Sequence, residues 1–184
     1  MTVIFANNDD IDCMTLPKIW EGQPNVNLIE ITKDSKNWEE KVDEAIASED
    51  DTLIFAGHGN WNGLLFPDIE KGIYILHENN VHLIKAKNVI CIWCYASSFC
   101  EEHHLNAFAT SMFISNVEEA YDNCIYDYSD IEIALNSRRF DCELGRLLEE
   151  KVPLRGWPGK LIKHMDANNV IDMFNRQGVM YIEG

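Results

Sequence analysis

Short apolar runs alternate with amphipathic stretches through the first two thirds of the chain, a pattern that predicts a parallel sheet with crossover helices. Thr2–Ala6 reads as a buried strand, ended by the polar stretch Asn7-Asn8-Asp9-Asp10. Val26–Thr32 alternates apolar and polar residues and reads as a second strand, nearer a sheet edge. Ser35 is placed to cap a helix whose apolar face is Trp38, Val42, Ala45 and Ile46. Asp51–Ala56 is a third strand, stopped by Gly57-His58-Gly59. Leu64–Phe66 and Ile73–Leu76, around Pro67 and Gly72, suggest a small hairpin. Asn80–Ala86 suggests a short helix and Asn88–Trp93 a fourth strand. Tyr95–Ala107 is expected to be helical, with Ser111–Ser115 as a fifth strand.

The last third is richer in helix signals. Asn116–Glu119 and Ser129–Glu132 both have capping-box spacing, and the second opens a helix expected to run to about Glu150. Pro153 and Gly156-Trp157-Pro158-Gly159 mark a loop. A short helix over Asn168–Asn175 and a strand over Val179–Glu183 close the chain. With no repeat, low-complexity tract or linker, residues 1–184 form one α/β domain. Its expected architecture is a mostly parallel central sheet flanked by helices, with residues 120–184 a helix-rich part of unassigned role.

Charge narrows the set of partners. The chain has 184 residues, 46% of them hydrophobic, and 15 Lys+Arg against 31 Asp+Glu give a net charge of −16. Such a surface repels phosphate backbones and anionic lipid headgroups, so neither nucleic acid nor a membrane is an expected partner, whereas a basic polypeptide is. The start Met1-Thr2-Val3-Ile4-Phe5 has no basic region of the kind that opens a signal peptide, and the six cysteines are expected to be reduced in a cytoplasmic setting.

Two strand ends carry the candidate chemistry. The third strand delivers His58-Gly59 and the fourth delivers Cys94. In an open parallel sheet ligands bind beyond the carboxyl ends of the strands. A thiol and an imidazole there supply a nucleophile and a general acid/base. A helix beginning at Cys94 would favour its thiolate. The backbone amides of Gly59 and Cys94 are placed to cradle an oxyanion. This order resembles the caspase-like cysteine peptidases, clan CD, the superfamily of caspases, legumains, clostripain, gingipains and separase. They carry His-Gly after the third strand and the nucleophilic Cys after the fourth. The resemblance covers most of residues 1–116 and implies a three-layer sandwich, a His58–Cys94 dyad and endopeptidase activity. Trp93 departs from the small or acidic residue that many relatives place before the cysteine, and Ile92 from the acidic residue of the clostripain kind. The resemblance further implies that the loop after the first strand reads the side chain preceding the cut. Asp9, Asp10 and Asp12 would then favour Arg or Lys, with Asp10 the leading candidate and Asp68 and Glu70 a second acidic pair; on the residues alone the cluster reads first as a solvated loop of an acidic protein. Trp61 would wall the pocket or cover core.

Other readings stay open. Cys91 and Cys94 have CxxC spacing, and Cys100, His103 and His104 follow, so a zinc or thiol-redox centre is an alternative. Cys91 inside a strand should point away from Cys94, which argues against convergence. Cys13, Cys124 and Cys142 read as packing residues. Hydrolysis through a dyad needs no metal or cofactor, although the acidic loops are compatible with calcium. A non-catalytic interaction module on the same fold is the rival from another class.

Overall fold

The computed structural model describes residues 1–184. Its central sheet contains β1 (Thr2–Ala6), β2 (Asn27–Ile31) and β3 (Thr52–Ala56). A small sheet follows, made of β4 (Gly59–Asn60), β5 (Gly63–Leu65) and β6 (Tyr74–Leu76). The central sheet then continues with β7 (Asn88–Ile92), β8 (Ala107–Thr110) and β9 (Val179–Ile182). The six central strands lie in the order β2-β1-β3-β7-β8-β9, all parallel except β9. The second strand sits at an edge, as its alternation predicts.

Pleat parity divides the core into two. Ile4, Ala6, Leu53, Phe55, Val89 and Cys91 face one side, where α1 (Trp38–Ser48), α2 (Ala96–Glu102) and the small sheet cover them. Val3, Phe5, Ile54, Ala56, Ile90 and Ile92 face the other, under a 3₁₀ turn at Leu16–Ile19, α4 (Asp130–Glu149) and α5 (Trp157–Lys163). Side chains alternate because successive Cβ atoms of a strand point to opposite faces. The product is a three-layer α/β arrangement.

Several sequence boundaries move. The helix expected from Ser35 starts at Trp38, because the Ser35 hydroxyl accepts the Thr32 amide at 2.9 Å and closes a turn instead. The helix expected over Tyr95–Ala107 ends at Glu102. His104 takes a left-handed backbone, φ 53°, and the Leu105 amide turns back to the Cys100 carbonyl. The chain enters β8 ahead of the expected strand, and Ser111–Ser115 is a loop. Asn80–Ala86 shrinks to a single 3₁₀ turn at Val81–Leu83. The Gly156–Gly159 cluster opens α5 rather than forming a loop, with Pro158 in its first turn, where no amide donor is needed.

The helical C-terminal third has a structural role. Ser129 and Glu132 complete their capping box at the start of α4. At the start of α3 (Val117–Asp122), Asn116 accepts the Glu119 amide, but Glu119 reaches back to the Ser115 amide rather than to that of Asn116. Arg176, on α6 (Val170–Gln177), is buried and donates to Asp172 at 2.7 Å, to the Leu161 carbonyl at 3.0 Å, and to Glu143. One guanidinium thereby ties α4, α5 and α6 together. Asn175 clamps Ile114, accepting its amide at 2.8 Å and donating to its carbonyl at 2.9 Å. That clamp fixes the loop after β8, which supplies one wall of the candidate site. No helix is long and apolar enough to cross a membrane.

Candidate active site

Register places the two candidate catalytic residues side by side. Ala56 pairs with Ile92 across β3 and β7, so His58 and Cys94 each follow a matched pair at the same distance along the chain. Parity gives both the orientation of Ala56 and Ile92, toward the α4 side. Their side chains line one cavity of about 40 Å³, together with Asp12, Cys13, Phe113 and Asp141. Cys91 is buried in the opposite core layer, so the CxxC pair does not converge on one centre. Two further cysteines differ from expectation: Cys124 and Cys142 are exposed rather than packed.

The turn carrying His58 depends on two glycines. A Cβ on Gly57 (φ +146°) would lie 2.7 Å from the Ala6 Cβ, and one on Gly59 would lie 2.1 Å from Trp93 Cδ1. The Trp93 indole fills that space and donates from Nε1 to the Asn60 carbonyl at 3.1 Å. Trp93 thus occupies its position before the cysteine as a buried brace between the two strand ends. Its amide donates to the Thr110 hydroxyl at 3.1 Å, which donates in turn to the Trp93 carbonyl at 2.7 Å. The Tyr95 amide is held by the Ser111 carbonyl at 3.1 Å, whereas the Cys94 amide donates to no protein acceptor. An N–H left free at this point is available to an oxyanion.

Two of the three first-strand acids converge on His58. Its Nε2 lies 2.8 Å from Asp10 Oδ2 and 3.9 Å from Asp12 Oδ2. Burial works to raise the Asp10 pKa, but the Cys13 amide and His58 outweigh it and hold the carboxylate below its ordinary value. An ionised Asp10 only accepts, so His58 donates from Nε2 and leaves Nδ1 as the proton acceptor. Asp12 is pushed up, chiefly by burial and further by Asp10, although Asn116 donates to it at 3.0 Å. Asp9 is exposed and lines a separate pocket with Met14, Trp20 and Glu30. Asp10 has one oxygen on the Cys13 amide and the other on His58, so both are already engaged within the protein.

Cys94 is a neutral thiol. Burial, followed by the negative field of Glu119, pushes its pKa up to about 12, with Asp12 adding to the effect, and Sγ–H donates to the Phe113 carbonyl at 3.5 Å. This reverses the expected thiolate: α2 starts only at Ala96, with Tyr95 in a left-handed conformation between it and the cysteine. Sequence reasoning does not find Glu119, because its charge acts on the thiol from α3, a separate element. Its own pKa is raised by burial despite two 2.8 Å bonds from Ser115.

Trp61 lines a neighbouring open pocket of about 430 Å³ with Tyr74, Glu78, Glu102 and His103. Its ring meets Tyr95 edge-on at 5.8 Å, which connects that pocket to the residue after Cys94. Asp68 pairs with Lys71 at 2.7 Å, and Glu70 is exposed nearby.

Asp141 is the second residue missed from sequence. It stands on α4, buried, and accepts the Thr15 hydroxyl at 2.6 Å. Burial lifts its pKa from 3.8 to about 7. The folded state therefore keeps a proton that the unfolded chain gives up between about pH 4 and pH 7, and stability falls across that window as pH rises. The full effect is on the order of 4 kcal/mol. Urea unfolding of Asp141→Asn against the native chain should show this: the difference in stability between pH 4 and pH 8 shrinks by that order in the variant. An unchanged difference would mean that Asp141 ionises normally in the fold.

Comparison with family models, curated proteins and solved structures yields no match to this chain.

Proposed function

We propose that this protein is a caspase-like cysteine endopeptidase that acylates through Cys94. The observation that carries the reading is the shared cavity of His58 and Cys94 at adjacent strand ends of the parallel sheet. The strand order β2-β1-β3-β7-β8-β9, with an antiparallel last strand, supports the caspase-like sandwich. Because the thiol is neutral, His58 acts as a base during attack rather than as half of a standing ion pair. Nδ1 takes the Cys94 proton as sulfur bonds the scissile carbonyl carbon, and the oxyanion forms against the Cys94 and Gly59 amides. The same proton passes to the leaving amine. Water then attacks the thioester, giving its proton to Nδ1, and the acid leaves as the thiol reforms.

A preference for Arg or Lys before the cut belongs to this reading. The charge of −16 attracts basic peptides. With Asp10 committed to His58, the cationic side chain finds its counter-charges in Glu78 and Glu102 beside Trp61. A positional fluorogenic peptide library tests the whole reading on native protein and Cys94→Ala. The expected result is cleavage after Arg or Lys, at least about tenfold over Asp, absent in the variant. A preference for Asp would refute the acidic pocket.

The interaction-module reading is favoured by one observation, the buried thiol pushed up to about 12 among carboxylates. It predicts no cleavage of any library member and no labelling of Cys94 by peptide-based acylating probes.

A further inference from the structure

Cys13 reads from sequence as a packing residue, yet its sulfur stands beside two other ligand types. Asp10, Cys13 and His58 each present one donor atom, a carboxylate oxygen, Sγ and an imidazole nitrogen, all within 4.8 Å of one another. The arrangement is held from outside. Asp10 Oδ1 accepts the Cys13 amide at 3.0 Å, fixing the loop that carries both residues, and the His58 carbonyl accepts the Leu65 amide at 2.9 Å, tying its backbone to β5. Asp12 adds a fourth donor, a second carboxylate, with Oδ2 3.9 Å from His58 Nε2 and Oδ1 buried without a hydrogen-bond partner. Mixed sulfur, nitrogen and oxygen donors suit a borderline-soft ion, and donors of these kinds at the corners of a tetrahedron are what Zn²⁺ takes. Neighbouring ligand atoms around zinc are about 3.2–3.7 Å apart, so the hydrogen-bonded His58–Asp10 pair at 2.8 Å has to open around the ion while the widest pair of the cluster, at most 4.8 Å, closes.

We propose that Asp10, Cys13 and His58 form a zinc site, with Asp12 facing its fourth position, and that bound zinc switches off the candidate active site by capturing His58. On binding, the Cys13 thiol releases its proton to solvent, and sulfur gives up its contact with the Ala6 carbonyl at 3.6 Å. The neutral imidazole turns its Nε2 lone pair to the metal and moves its proton to Nδ1. Asp10 exchanges its bond to the ring for a bond to the metal. An imidazole protonated at Nδ1 can no longer take the Cys94 proton, so metal loading and catalysis are mutually exclusive states of one side chain. The site stands on the geometry alone; only the consequence for turnover rests on the peptidase reading.

The test uses Zn²⁺ and Co²⁺ titrations of the purified reduced protein, with a chromophoric chelator in competition. Native protein and Cys94→Ala should both bind one ion, and the cobalt form should show a thiolate-to-metal charge-transfer band. Cys13→Ser, whose hydroxyl can still donate to the Ala6 carbonyl, should lose that band and weaken zinc roughly a hundredfold or more, whereas Asp10→Asn should weaken zinc similarly and keep the band at saturating cobalt. Cys13→Ala serves where the serine disturbs folding, which circular dichroism reports independently. A band that survives Cys13 replacement and vanishes in Cys94→Ala would put the ion on Cys94 and overturn the assignment, as would failure of native protein to compete for either metal. Because the readout is spectroscopic, a protein with no peptidase activity that still binds through Cys13 overturns the peptidase reading and leaves the metal site standing. If peptides are cleaved, added zinc should inhibit native protein, and Cys13→Ser should resist it.

Discussion

Cys94→Ala should reduce peptide hydrolysis to background while changing stability by less than about 1 kcal/mol. The small structural cost follows from what the side chain does in the fold. It stands at a half-buried strand end and makes one long Sγ–H bond to the Phe113 carbonyl, and Trp93, not Cys94, braces the turn. The large functional cost follows from its being the group that bonds the carbonyl carbon. His58→Gln is the companion variant. Its side-chain amide can still donate to Asp10, so the acidic cluster keeps a partner, but it offers no basic nitrogen to the thiol. Loss of general base and acid should cost about 10²–10⁴ in turnover with substrate still bound. The high thiol pKa adds a chemical signature. At pH 7 iodoacetamide should alkylate exposed Cys124 and Cys142 well before Cys94, because only the thiolate is nucleophilic. A peptide-based acylating probe should instead label Cys94, since bound probe brings the carbonyl to the base. Full hydrolysis by Cys94→Ala would remove Cys94 from the mechanism.

What is legible in the sequence is what lies local to a strand. Apolar runs locate β1, β3 and β7, and period-two parity separates Cys91 from Cys94 without knowledge of the fold. His58 and Cys94 are readable because a strand end is a fixed place in a parallel sheet. β8 is misplaced because Ala107–Thr110 is short and alanine-rich, and such a run looks the same as the end of a helix. The electrostatics of the site are beyond reach for a different reason. Burial is what chiefly raises the Cys94 thiol, and the charges that add to it, Glu119 and Asp12, come from α3 and the first-strand loop. Asp141 and Arg176 are polar residues in amphipathic helices, where sequence assigns them to solvent, yet long-range packing buries both. The spacing Asp10-x-Asp12-Cys13 is a visible signal for the metal cluster. Reading Cys13 as a small hydrophobe hides it.

The role of Asp10 is where local and long-range information part most sharply, and it yields the second large effect. Sequence position offers it as a charge for the substrate, but its Oδ2 lies 2.8 Å from His58 Nε2, 48 residues away in the chain. In Asp10→Asn the Oδ1 atom can keep the Cys13 amide, and the new NH₂ group then faces the ring. Two donors cannot face each other, so the imidazole must place its proton on Nδ1 and accept at Nε2. That tautomer presents N–H to the Cys94 thiol and has no lone pair for its proton. In the Ser-His-Asp triad of serine proteases, an Asp-to-Asn change costs about 10⁴ in turnover by the same tautomer inversion. Here the expected loss is about 10²–10⁴ in kcat, the range of general acid–base catalysis, with KM for an Arg substrate changed by less than about threefold. Asp10→Glu should recover part of the rate, because a carboxylate again accepts from Nε2, whereas Asp10→Ala should not. A positioning role predicts this split between kcat and KM. A specificity role predicts the opposite, a rise in KM for Arg substrates with kcat retained, and that outcome would return Asp10 to the substrate pocket.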